Sequence, residues 1–349
     1  MNKNTLYKIL SFIFISAVLA GMLIYMLHKD GVENILNILK TADYRWTFVC
    51  LLLMFAEIIL DSLSLFIPLK KSGYSGKFFG VLKSDYICRF FSYITPFNSG
   101  GQPVQALYLS KKGIAMSRTL SILLIKYIIY QAALLTWAAL LFAFNNRFFF
   151  SVFSGYLWLI ILGISVSLIA ALSMVIIGKR TSVVSRITTS LINRLSSLHI
   201  GKRSLIKDPE SLKQRSDTAI SNYGKQFNET VCSKPVMAKM YLISMLQIFS
   251  YLAMTYTIYK ALGNSGVSIW GIITVQTFLF LLIAYVPTPG AGLGAEGAFA
   301  LFFHGIFTSN LNMGNLFWRL FTFYIPFILG SIFAMCNKSS GKKEEVQKE

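Results

Sequence analysis

Seven ionisable side chains stand where few belong. Glu57, Asp61, Asp85, Arg89, Lys126, Glu296 and Arg319 all fall in or beside long apolar stretches of the chain. On insertion scales each costs about 2.5–3.5 kcal/mol near the centre of a membrane helix, so such groups turn inward and pair, or meet a polar substrate. Glu57 and Asp61 are four residues apart, which places two carboxylates on one helical face. Lys126, Arg319 or a cationic headgroup could answer them. Asp85 and Arg89 repeat that spacing with opposite signs, the arrangement of an ion pair within one helix.

A second kind of chemistry lies in two chain breaks. One reads Thr95-Pro96-Phe97-Asn98-Ser99-Gly100-Gly101-Gln102-Pro103, and the other contains Pro287, Pro289, Gly290, Gly292, Gly294 and Glu296 within Pro287–Gly297. Proline removes amide donors and glycine accepts dihedrals closed to other residues, so neither break runs as continuous helix. Unwound backbone at membrane depth is tolerated only inside protein or along a wet cavity. The helix that follows each break offers free amides to an anion such as a phosphate headgroup. The alternative is that Pro and Gly here only allow helices to pack tightly, since both are common in membrane helices. Outside the apolar stretches there is no paired acid and base, no activated nucleophile and no Gly-rich nucleotide loop. Cys50, Cys88, Cys232 and Cys336 are far apart, as are His28, His199 and His304, so no metal site is read from spacing and no cofactor is expected.

The elements that must position these groups follow from composition. Only 13% of the 349 residues are charged, against about 25% in a typical soluble domain. Too few charges remain to cover a water-facing surface, so the chain reads as an all-α polytopic membrane protein. Six stretches reach the ~20 apolar residues of a full span: Leu6–Leu27, Trp46–Leu69, Thr119–Phe144, Gly155–Ile177, Val236–Tyr259 and Leu316–Met335. The first runs unbroken for longer than a signal-peptide core and reads as a retained anchor. Two further stretches, Tyr86–Leu109 and Ile269–Phe307, contain the breaks and read as broken re-entrant hairpins.

If each span crosses and each hairpin returns, 24 basic residues fall on one side and five on the other. Positive residues accumulate in cytoplasmic loops, which puts both termini in the cytoplasm. The formal charge of +19 is then mainly an orientation signal, with affinity for an anionic membrane surface rather than direct nucleic-acid binding. Within the basic loop 178–235, Val184, Ile187, Leu191, Leu195 and Leu198 recur at helical steps. That amphipathic helix lies on the leaflet or packs on the membrane domain. The tail 337–349 is short and charged, and is expected to be disordered.

The order span, span, hairpin, span occurs twice, over 1–148 and 149–336. An odd number of crossings in the first half makes the second start from the other face, so the halves form an inverted repeat of the kind many transporters use. Two hairpins would then enter from opposite sides and converge on a shared polar chamber.

At these residues the chain resembles a known family. Tyr93–Ile114, the Pro287–Gly297 turn, and Arg319 followed by Thr322-Phe323-Tyr324-Ile325-Pro326 are similar to the lysylphosphatidylglycerol synthase transmembrane-region family. That family includes the membrane half of the bacterial multiple peptide resistance factor. Gly100, Gly101, Pro103, Pro289, Gly290, Glu296 and Arg319 match its motifs, while Gln102 and Gln105 stand where many members carry Glu and a basic residue. The resemblance implies a bacterial cell-membrane protein that flips aminoacylated phosphatidylglycerol between leaflets, contributing to resistance against cationic antimicrobial peptides. It also implies the label phosphatidylglycerol lysyltransferase, an activity that two-part members place in a soluble domain using lysyl-tRNA. The longest polar stretch here, Gly178–Pro235, has 58 residues, fewer than the ~100–150 of such a domain. The reading is therefore a lipid translocase acting on a phospholipid. A separate synthase partner, self-association, and another polyprenyl-linked or small substrate stay open.

Overall fold

The computed structural model describes residues 42–197, 209–231, 233–283, 292–307 and 310–336, with short pieces outside those segments. The chain there is helical. In order run α1 (Tyr44–Lys71), α2 (Phe78–Tyr93), α3 (Gly101–Ser110), α4 (Met116–Phe144), α5 (Asn146–Phe153), α6 (Leu157–Lys179) and α7 (Thr181–Ser197). After them come α8 (Pro209–Val231), α9 (Lys234–Ala261), α10 (Ile269–Ile283), α11 (Gly292–Phe303), α12 (Leu311–Arg319) and α13 (Ile325–Met335). A two-residue antiparallel ladder, His199–Ile200 with Arg203–Ser204, lies between α7 and α8.

Five runs are long and apolar enough to cross a membrane: α1, α4, Asn146–Lys179, α9 and Leu311–Met335. They fall on five of the six stretches expected to span. The first, Leu6–Leu27, lies outside the described residues save for Gly21 and Ile24, and the tail 337–349 lies wholly outside them. Helix α6 keeps Trp158, Ile161, Leu162, Ile169 and Leu172 on its outer face, as a helix bordering lipid does.

The centre of the molecule is the pair α1 and α9, which pack along their whole length. The Asp43 amide donates to the Ala261 carbonyl at 2.8 Å at one end, and Lys71 Nζ bonds Ser233 Oγ at the other. Between them, Cys50 Sγ reaches the Met254 carbonyl at 3.9 Å and Gln247 Nε2 donates to Glu57 Oε1 at 3.1 Å. All four contacts fit one antiparallel register. Without a hydrophobic drive between helices in lipid, close packing and such interhelical hydrogen bonds hold the pair.

The first break behaves as its residues require. Helix α2 stops at Tyr93, a single 3-10 turn covers Pro96–Asn98, and α3 starts at Gly101. Phe97 and Asn98 adopt left-handed φ values of 56° and 53°. Asparagine tolerates that region, whereas for Phe97 it is a strained conformation costing on the order of 1–3 kcal/mol. The second break lies between α10 and α11. Pro287, Pro289 and Gly290 are outside the described residues, and Gly292 and Gly294 begin α11.

The loop 178–235 holds two helices, not one. The amphipathic stretch as far as Ser197 forms α7, Leu198 lying outside the described residues, but α7 packs on α8, and α8 packs on α4. Ser121 Oγ of α4 donates to the Tyr223 carbonyl at 3.2 Å, and Phe227 is buried there. The pair is thus attached to the membrane domain, in line with the second of the two expectations for that helix.

Candidate functional site

The charged residues of the first half gather in one place. Asp61 and Glu57 face inward from α1, Asp85 and Arg89 from α2, and Lys126 from α4, while Gln105 of α3 and Gln247 of α9 close the group. Arg89 Nη2 lies 2.7 Å from Glu57 Oε1 and 3.3 Å from Asp61 Oδ2. Lys126 Nζ lies 2.8 Å from Asp61 Oδ1 and 3.6 Å from Asp85 Oδ1. Gln105 Nε2 bonds Asp85 Oδ1 and reaches Ser84 Oγ at 3.2 Å. Desolvating charges is expensive, and only tight pairing with added hydrogen bonds offsets it. The alternation of carboxylate and cation along Glu57, Arg89, Asp61, Lys126 and Asp85 provides that pairing.

One pairing differs from the sequence expectation. Asp85 and Arg89 share α2 and the four-residue spacing, yet they do not form the pair. Two carboxylates on α1 offer Arg89 closer partners than one on its own helix, and Asp85, only 2% exposed, is taken by Lys126 and Gln105. Of the partners suggested for Glu57 and Asp61, Lys126 is found on Asp61. Arg319 is elsewhere.

Arg319 belongs to a second group. Its Nε lies 3.7 Å from Glu296 Oε1, and its guanidinium sits 5.0 Å from the Phe323 ring centre and 5.6 Å from that of Trp318. Rings that cover a guanidinium attract it as well as shield it. Asn315 Nδ2 donates to the Glu296 carbonyl at 3.3 Å, which ties α12 to α11.

A wide π turn, Leu320–Tyr324, joins α12 to α13 and lies between the two groups. Such turns often mark functional positions. The cause is local: Pro326 has no amide to give the carbonyl four residues back, that of Thr322. Tyr93 Oη of α2 donates to that carbonyl at 3.2 Å, and the Tyr93 ring packs on Phe323 at 4.7 Å. Beside this turn runs a narrow crevice lined by Glu57, Arg89, Tyr86, Tyr251, Thr322 and Pro326, with room for about one water molecule. Arg89 Nε has no hydrogen-bond partner among the described residues.

The residues singled out at the first break do different work from one another. Gly101 is a close-packing position: a Cβ there would sit 2.4 Å from the Cys88 carbonyl oxygen and 2.0 Å from Ser92 Oγ. The Gly100 amide is already bonded to Thr95 Oγ1 at 2.9 Å, whose hydroxyl donates to the Phe91 carbonyl at 2.8 Å. Gln102 and Pro103 are exposed on the first turn of α3, where proline costs a helix nothing. Sequence reasoning missed Gln247, Tyr93, Tyr86 and Tyr251 and treated Gln105 as a lost charge. A buried glutamine in an apolar helix was the available signal.

Fold and site together define a multi-pass helical membrane protein in which the ion pairs of the described residues lie between helices. The particular family follows from comparison. Residues 9–330 match the model of the lysylphosphatidylglycerol synthase TM region, and the chain belongs to that family. A search of curated proteins finds no match.

Proposed function

We propose that the chain moves a phospholipid headgroup between membrane leaflets. One observation carries this reading: a carboxylate, Glu57, and a guanidinium, Arg89, border one crevice in the middle of the helix bundle. A guanidinium suits a phosphate, and a carboxylate suits an ammonium, so the two fit a headgroup that carries both, as an aminoacylated phosphatidylglycerol does. The crevice is too narrow for a headgroup in this arrangement, so passage requires the hairpins and the α12–α13 run to move apart.

An inverted repeat would support the same reading. Pairing α1 with α9, α2–α3 with α10–α11, and α4 with α12–α13 maps one set of helix contacts onto another. The contacts α1–α2, α2–α3, α3–α4, α1–α4 and α2–α13 find counterparts in α9–α10, α10–α11, α11–α12, α9–α12 and α10–α4. Glu57 and Gln247 hold the same place in helices of equal length, 28 residues, and they touch. A contact between equivalent residues is what a two-fold axis in the membrane plane requires. On this reading six spans and two re-entrant hairpins make a cell-membrane transporter with cytoplasmic termini, and its work on aminoacylated lipid would blunt cationic peptides.

The test is reconstitution into vesicles carrying a trace of fluorophore-tagged phosphatidylglycerol or lysyl-phosphatidylglycerol, with an outside quencher reporting the leaflet. Protein-dependent loss of the protected fraction is expected. In cells, an outer-leaflet label that finds the same distribution of every major phospholipid with and without the gene would refute the proposal.

A further inference from the structure

Among the described residues, the buried network of the first half is one positive charge short. Glu57, Asp61 and Asp85 supply three carboxylates, and Arg89 and Lys126 supply two cations. The cations favour the first two carboxylates, since Lys126 Nζ is 2.8 Å from Asp61 and 3.6 Å from Asp85. Asp85 is also the most deeply buried of the three. Its Oδ1 accepts from Gln105, but among the described residues its enclosed Oδ2 has no well-formed hydrogen bond, and neither has Ser62 Oγ beside it.

Among the described residues, no other charge makes up the deficit. Around Asp85, α1 brings Asp61 and Glu57, α4 brings Lys126, and α2 itself carries Cys88 and Arg89. Lys83 of α2 points away, toward the Cys336 carbonyl at 3.5 Å. Helix α3 contributes Gln105 and, further along, Tyr108, and α13 has no ionisable residue. Arg319 is engaged by Glu296 at 3.7 Å.

A carboxylate with one oxygen bare in a low-dielectric interior neutralises rather than stays charged. A hard metal ion would ask for about six oxygens, and here Lys126 and the Gln105 amide occupy neighbouring directions. A proton asks only for Oδ2 and an acceptor, and Ser62 Oγ is in place.

We propose that Asp85 is a proton-binding site that couples headgroup movement to proton movement. This rests on the translocase reading above. The proton arrives from water onto Oδ2 and is donated toward Ser62 Oγ. A phosphate that engages Arg89 draws the guanidinium from Asp61, which then holds Lys126 harder and leaves Asp85 to its proton. When the phosphate departs, Arg89 returns to Asp61, Lys126 shifts to Asp85, and the proton leaves to water. Phosphate charge and proton thus travel together, and with phosphatidylglycerol itself the cycle moves no net charge.

The experiment uses the full chain in phosphatidylcholine vesicles with a trace of tagged phosphatidylglycerol, under pH gradients of either sign. With one proton per headgroup, a gradient of one pH unit shifts the steady-state leaflet ratio by about tenfold. Asp85→Asn, which keeps an acceptor for Gln105, removes that response. An independent readout is infrared difference spectroscopy in detergent: a carboxylic-acid carbonyl band that appears at neutral pH when phosphatidylglycerol is added, absent in Asp85→Asn and shifted in Ser62→Ala. The Ser62→Ala shift decides the matter if Asp85→Asn does not fold. Lipid that redistributes identically under both gradients, with no such band, overturns the proton site and leaves translocation standing. A band that behaves as expected with no lipid movement upholds the proton site and overturns translocation.

Discussion

Arg89 is shared by two carboxylates of α1, so its removal should be costly in a way that one further change repairs. In Arg89→Met the apolar stem remains, but Glu57 loses a partner at 2.7 Å and Asp61 one at 3.3 Å. Unit charges about 4 Å apart interact by about 4 kcal/mol at an effective dielectric of ~20. Breaking a buried pair by deleting one partner costs about 3–5 kcal/mol, and that is the expected loss of stability. Adding Glu57→Gln returns the network to a single excess carboxylate, with Asp61 and Asp85 facing Lys126. Gln247 Nε2, now 3.1 Å from Glu57 Oε1, finds an amide oxygen in the same place. The double variant should therefore recover about 1–3 kcal/mol relative to the sum of the singles, within the usual coupling of contacting residues. Unfolding in detergent can be followed with a thiol-reactive fluorophore in a background with Cys88, Cys232 and Cys336 replaced by serine, because Cys50 is buried against Met254 and reacts only once α1 leaves α9. Additive effects within about 0.5 kcal/mol, or a neutral Arg89→Met, would refute the assignment of Arg89 to Glu57.

Three further outcomes are expected from the same measurement. Gly101→Ala should destabilise by about 1–3 kcal/mol, because its Cβ would meet the Cys88 backbone carbonyl. Gly297→Ala, with nothing within 4 Å of the new Cβ, should be neutral or stabilise by up to about 1 kcal/mol through helix propensity. Equal effects at the two sites would contradict the tight α2–α3 contact. Tyr93→Phe should cost about 0.5–1.5 kcal/mol by leaving the Thr322 carbonyl unpaired, and restoring an amide with Pro326→Ala should reduce that cost. If the two changes simply add, the proline account of the π turn is wrong. Arg319→Lys keeps the charge near Glu296 but loses the planar stack on Phe323 and Trp318, and should cost about 0.5–2 kcal/mol. A lysine variant as stable as the native protein would show that the rings only fill space.

The long helices were legible because a span is a local property: α4 and α9 follow from uninterrupted apolar runs, and the break before α3 follows from Pro96, Gly100 and Gly101. The list of charged residues was legible too, since residue type and hydropathy suffice to find them. Their pairing was not. The i, i+4 rule proposed Asp85 with Arg89 from distances along one helix, whereas Arg89 reached residues 28 and 32 positions away, on another helix. The partner of Glu57 from α9 is 190 positions distant and the donor to Thr322 is 229. No local pattern encodes such contacts. Helix α8 escaped notice for a different reason: most of its side chains are polar, and its anchorage rests on a few residues such as Phe227.

The division of charge between the two halves has its own logic on the proposed inverted repeat. Equivalent residues meet where α1 crosses α9, so whatever stands at that position faces its own counterpart. Two carboxylates there would repel one another in a medium that screens little, and two apolar residues would leave Arg89 one acceptor poorer. A carboxylate in one half and an amide in the other avoids both, because Gln247 donates a hydrogen bond to Glu57 while keeping the site neutral from its side. Divergence of the halves at this one place is therefore a condition for putting an acid at the axis at all. It also explains why the ion network extends into α2 and α4, whose own half supplies the charges, while the corresponding groups of the second half, Glu296 and Arg319, form a separate pair under aromatic cover.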